Sequence, residues 1–144
     1  MDKTKALYEV IESSRAFMNQ MNELVDQIHQ DYGINSCSRG VMLILRSEGL
    51  RTIPQLARDT RRSRQYLQKM ITQMQKIGLI NLIPNPDHKT SNLIELSEHG
   101  KQILVEMLDA ESSLINKVDI HIEIEQLKNT SNSLNQLTQT FQNT

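Results

Sequence analysis

Thr52-Ile53-Pro54-Gln55-Leu56-Ala57-Arg58-Asp59-Thr60-Arg61-Arg62-Ser63-Arg64-Gln65-Tyr66-Leu67-Gln68-Lys69-Met70-Ile71 is the stretch on which the fold turns. Pro54 is compatible with a helix only in its first turn, so Ile53 to Thr60 reads as a short helix with Leu56 and Ala57 facing inward. Ser63 can cap a second helix, Arg64 to Ile77, in which Leu67, Met70, Ile71, Met74 and Ile77 recur at steps of three and four and Gly78 supplies the stop. At about 100° per residue from Leu67, the outward positions of this helix are Gln65, Gln68, Lys69, Thr72 and Lys76. None is acidic. Two helices joined by a tight basic turn are the outcome.

Downstream, Leu79 to Ile83 and Leu93 to Leu96 read as short strands joined by the Pro84–Asn92 loop, a hairpin whose tip carries Asp87, His88 and Lys89. Upstream, Leu7, Val10, Ile11, Phe17, Met18, Met21, Leu24, Val25 and Ile28 give one long amphipathic helix ending near Asp31, before Tyr32-Gly33. A shorter helix follows, with Ser36 or Ser38 as N-cap, running through Val41, Met42, Ile44 and Leu45 to Glu48-Gly49. After Ser97, a helix carries Ile103, Leu104, Met107, Leu108, Leu114, Ile115 and Val118, and a break falls near Asp119. Helical spacing resumes at Leu127, Leu134, Leu137 and Phe141. Asn, Gln, Ser and Thr fill most of the rest of this tail, so its helix propensity is low and it calls for a partner, expected to be another subunit. Helix, turn, helix and hairpin in this order form a winged helix-turn-helix, mainly α with a small β-hairpin wing.

Charge is distributed to match. Residues 39–89 hold ten Arg and Lys against Glu48, Asp59 and Asp87, a net +7, whereas residues 1–38 carry −3 and residues 90–144 carry −5. A chain of net charge −1 thus offers a basic face to a polyanion. Having no Trp, three Tyr and two Phe, it holds little material for stacking unpaired bases, which favours double-stranded DNA as the partner. Cys37 is the only cysteine, so neither an internal disulfide nor a cysteine zinc site can form, and a reducing compartment fits. Without an apolar run of membrane-span or signal-peptide type, the expectation is a cytoplasmic protein away from membranes. His29, His88, His99 and His121 have no metal-ligand spacing, and there is neither a glycine-rich phosphate loop nor a catalytic constellation. No metal, no cofactor and no enzymatic activity are expected.

From Thr52 to Leu67, through Ile77-Gly78-Leu79-Ile80 and Asn85-Pro86-Asp87-His88-Lys89, to Leu93-Ile94-Glu95-Leu96-Ser97-Glu98-His99-Gly100, the chain resembles the MarR family of bacterial transcription regulators. The resemblance implies a single domain over residues 1–144. In it, residues 36–99 form the winged DNA-binding lobe and residues 1–35 and 100–144 the helices of a homodimer. It also implies a repressor released from a pseudo-palindromic operator by a small aromatic or phenolic effector. DNA contacts fall on Arg61, Arg62, Ser63, Arg64, Gln65, Gln68, Lys69, Thr72, Lys76, His88 and Lys89, and Phe17, Met21, Met42 and Leu45 are candidate pocket walls. Cys37, before a helix, suggests a redox-sensing variant. The acidic flanks suggest a protein-binding adaptor or antirepressor on the same scaffold. Two departures stand out: the wing reads Asp87, His88, Lys89, Thr90 where the family usually has Asp, any residue and Arg, and Arg61 and Arg62 are adjacent in the turn.

Overall fold

The computed structural model describes residues 2–144. Its elements follow the order α1 (Lys3–Asp31), α2 (Ser36–Glu48), α3 (Ile53–Thr60), α4 (Arg64–Lys76), β1 (Ile80–Ile83), β2 (Leu93–Leu96), α5 (Glu98–Asn116) and α6 (Ile124–Gln142). They divide into two compact units, one ending at Ser113 and one spanning Leu114–Thr144.

In the first unit each helix begins where a side chain can take up a free backbone N–H. The cap of α2 is Asn35, not Ser36 or Ser38: its carboxamide accepts from Ser38 N (2.9 Å) while Ser38 Oγ accepts from Asn35 N (2.9 Å). Ser38 is therefore the inner partner of a capping box. Thr52 and Gln55 form the same box on α3, at 3.3 and 2.9 Å. Ser63 Oγ accepts from Tyr66 N (3.0 Å) to start α4. Between α3 and α4 the backbone reverses at Arg61, in the left-handed region at φ 55°, with Arg62 N donating to Ala57 O (3.2 Å).

The hairpin pairs antiparallel with Ile80 opposite Leu96 and Ile83 opposite Leu93. Arg51, in the link between α2 and α3, adds a bridge to Ile94: Arg51 N donates to Ile94 O (3.2 Å) and Ile94 N to Arg51 O (2.7 Å). Beyond β2, Ser97 N donates to Leu79 O (3.0 Å) and Ser97 Oγ to Gly78 O (2.6 Å). Here α5 runs so close to the start of the hairpin that a Cβ at position 100 would sit 2.0 Å from Leu79 O, so only glycine fits.

Met42, Leu56, Leu67, Ile71, Leu79, Ile80, Ile94, Leu104 and Met107 are fully buried and join α2, α3, α4, the hairpin and α5 around one aliphatic core. Beside it lies a buried charged cluster. Arg39 Nε and Nη2 donate to Glu111 Oε1 and Oε2 (both 2.8 Å), and His29 Nε2 lies 2.7 Å from Glu111 Oε1, linking α2, α5 and α1. Burial would push the Glu111 carboxyl up, but the bonds and charges of Arg39 and His29 outweigh it and hold the group below its ordinary range.

The second unit contains α6, started by Gln126 Oε1 accepting from Glu123 N (3.3 Å). Among residues 114–144 none is buried; Ile120, Ile122, Ile124, Leu127, Leu134 and Phe141 are all exposed. Thr130, Thr138 and Thr140 return their hydroxyls to the carbonyls four residues before, a bond that slightly weakens a helix. In the first unit, Tyr8, Val10, Phe17 and Met18 of α1 are similarly exposed. No described helix is long and apolar enough to cross a membrane.

Candidate nucleic-acid interface

Burying Leu67, Met70, Ile71 and Met74 fixes the rotation of α4 and leaves Gln65, Gln68, Lys69, Thr72, Gln73 and Lys76 exposed. With no Asp or Glu anywhere in α4, nothing on this face repels phosphate. Arg61, Arg62, Ser63 and Arg64 are exposed at its N-terminal end, where unpaired N–H groups and the helix dipole favour an anion. Arg62 lies over the Tyr66 ring, 5.2 Å from its centroid, a contact that favours placing the guanidinium near the helix start.

His88 and Lys89 are exposed at the tip of the hairpin. The tip is shaped by Asn85, whose Oδ1 accepts from Asp87 N (3.0 Å) and whose carbonyl accepts from His88 N (3.2 Å). A cleft of about 390 Å³ brings α4 and the wing together: Arg64, Gln65 and Gln68 line one side, Thr90, Ser91 and Asn92 the other, and Ile53, Pro54, Ile71, Leu82 and Ile94 are also part of its lining. A second cleft of about 270 Å³ on the other flank of α4 is lined by Gly33, Asn35, Ser38, Tyr66, Lys69, Met70, Gln73 and Met74.

Two cations of the basic stretch are used internally. Arg39 is spent on Glu111, and Arg51 pairs with Glu48 (3.4 Å) and Asp59 (3.6 Å). None of the four suggested pocket residues lines either of these clefts: Phe17 is exposed on α1, Met21 is half-buried, and Met42 and Leu45 belong to the core. Cys37 is half-buried near Arg62 and Tyr66. Burial pushes its thiol up, more than those two neighbours pull it down, so it remains protonated at neutral pH. Among the described residues no group of three or more His, Cys, Asp or Glu is placed to hold a metal ion.

Sequence reasoning gave no role to Tyr66 or to the buried cluster. Arg62 and Tyr66 are spaced i, i+4, a signal for their stacking. Glu111 is a charge on the buried stripe of Leu104 and Met107, a signal for a buried partner.

No protein-family model matches the sequence. Rv2011c of Mycobacterium tuberculosis and Mb2034c of Mycobacterium bovis, both uncharacterized proteins, are 30% identical to the chain over 100 residues, covering 69% of it and 70% of theirs. Among solved structures, the MarR family transcription regulator SP03579 superposes with a TM-score of 0.80 at 22% identity, over 98% of this chain and 93% of that one. A mutant MarR of Escherichia coli complexed with operator DNA superposes with a TM-score of 0.78 at 14% identity, over 95% of this chain and 99% of that one. At such identities the likeness is one of fold. The chain belongs to one family with the mycobacterial proteins, and its fold is the winged helix-turn-helix of the MarR family of transcription regulators.

Proposed function

We propose that the protein is a sequence-specific, double-stranded DNA-binding transcription regulator, a homodimeric repressor on a pseudo-palindromic operator. The observation that carries this reading is the exposed, acid-free face of α4, bounded by Arg61, Arg62 and Arg64 at one end and by the wing along its flank. A helix of this composition suits the major groove, with the wing at the adjacent minor groove and the arginines on the backbone. The exposed apolar side chains of α1 and α6 support a second copy as their cover. In such a dimer two copies of α4 about 34 Å apart reach successive major grooves. A small aromatic or phenolic effector that changes this spacing releases the DNA.

The test is a titration against the DNA upstream of the protein's own gene at 50 and 200 mM salt, with a random duplex as competitor. The reading expects tight, competitor-resistant binding. Arg62→Ala and Arg64→Ala should each weaken binding to every sequence and reduce the salt slope by about 1. Equal, weak binding to both duplexes, with the variants unchanged, would remove the reading for this operator.

A further inference from the structure

We infer that the operator half-site is read at A·T pairs, with Gln65 on an adenine and Thr72 on a thymine methyl about two to three base pairs away. The inference rests on the DNA-binding reading and adds which bases the exposed face of α4 selects.

Gln65, Lys69, Thr72 and Lys76 follow at steps of four, three and four, and so form one stripe opposite the buried Leu67, Met70, Ile71 and Met74. Among the described residues no hydrogen bond engages the Gln65 carboxamide, whose NH₂ and carbonyl oxygen therefore remain free as an adjacent donor and acceptor. That pair matches the adenine edge in the major groove, where the carbonyl accepts from N6 and the NH₂ donates to N7. Gln65 is the second residue of α4, at the end of a recognition helix that meets base edges.

Thr72 is different. Its hydroxyl donates to the Gln68 carbonyl (2.9 Å), so its proton is committed to the helix. What it offers a base pair is chiefly its methyl, which suits the C5-methyl of thymine. Seven residues separate Gln65 from Thr72, a rise of about 10.5 Å along the axis. Laid along the major groove, a helix segment of this length spans about two to three base pairs. A carboxamide and a methyl at this separation favour A·T pairs at both positions, and no carboxylate on α4 is available to accept from cytosine.

The experiment selects binding sites from random duplexes with the wild-type protein, Gln65→Ala and Thr72→Ser, then places 7-deazaadenine or uracil in the wild-type site. The expected site carries two A·T pairs about two to three positions apart. Replacing the adenine by 7-deazaadenine, which lacks the N7 acceptor, should cost the wild type about tenfold in affinity and Gln65→Ala nothing further. Uracil, which lacks the methyl, should cost the wild type severalfold and Thr72→Ser nothing further. A selected site with G·C at these positions, or variants as sensitive to the modified bases as the wild type, overturns the inference while leaving specific DNA binding intact. Failure of the wild-type protein to prefer any duplex overturns the DNA-binding reading and the inference with it.

Discussion

Leu67 in α4 and Leu127 in α6 both lie in amphipathic helices started by a polar cap, yet the first is fully buried and the second is 46% exposed. The difference lies in what surrounds them. Leu67 faces a core drawn from α2, α3, α4, β1, β2 and α5, whereas no residue of the second unit is buried. Helix α6 has little to replace that core: its polar positions are mostly Asn, Gln, Ser and Thr, of middling or low propensity, and three threonines bond back to the turn before. The first unit has a core of its own, whereas the second has no buried residue to serve as one.

The comparison breaks most sharply at Glu111. Glu111→Ala leaves Arg39 and His29 without their shared carboxylate and should destabilise the protein by about 3–5 kcal/mol in urea unfolding. The sign with pH follows from the depressed Glu111 pKa: the stabilisation is complete above the ordinary carboxylate range and is lost as pH falls beneath it. Urea midpoints of the wild type should fall between pH 7 and 3, and Glu111→Gln should lose part of that decline.

Next comes the core. Leu67→Ala should cost about 3 kcal/mol, read as a lower urea midpoint with unchanged slope. The matching change in α6, Leu134→Ala, should leave the isolated subunit within about 0.5 kcal/mol of the wild type. In a homodimer that covers this leucine, it should raise the dissociation constant by about 30-fold, measured by sedimentation. Equal losses from Leu67→Ala and Leu134→Ala in the monomer would erase the contrast between the units.

The smallest change expected is a gain. Arg61 holds a left-handed conformation that costs an L-residue about 1 kcal/mol relative to glycine, so Arg61→Gly should raise the melting temperature by a few degrees. If Arg61 meets phosphate, the same variant should also lose DNA affinity with a flatter salt slope.

Periodicity made the helices legible because each buries one stripe: the spacing of Leu67, Met70, Ile71 and Met74 fixes both the existence and the rotation of α4. Boundaries moved by a residue or so where backbone bonds decide them. The expected strand start at Leu79 moves to Ile80, and α4 ends at Lys76. Asn35 is not legible as the cap because Ser36 and Ser38 compete for that role in the sequence, and only the reciprocal bonds with Ser38 distinguish them. For the interface, the outward set of α4 could be counted from the helical repeat alone. What periodicity lacks is the long-range partner. Arg39 belongs to a basic stretch in sequence, yet in space it pairs with a carboxylate 72 residues further along the chain.

The wing has the mechanics of a cantilever. Its root is clamped by β1 against β2, by the Arg51–Ile94 bridge on one margin and by the tight approach of Gly100 to Leu79 below. Its far end, residues 84–92, is held only by bonds within itself, and Pro84 and Pro86 add stiffness without cross-strand donors. A load applied at Lys89 is therefore passed to the root rather than absorbed along the beam, and the first joint it meets is the Arg51 link between α2 and α3.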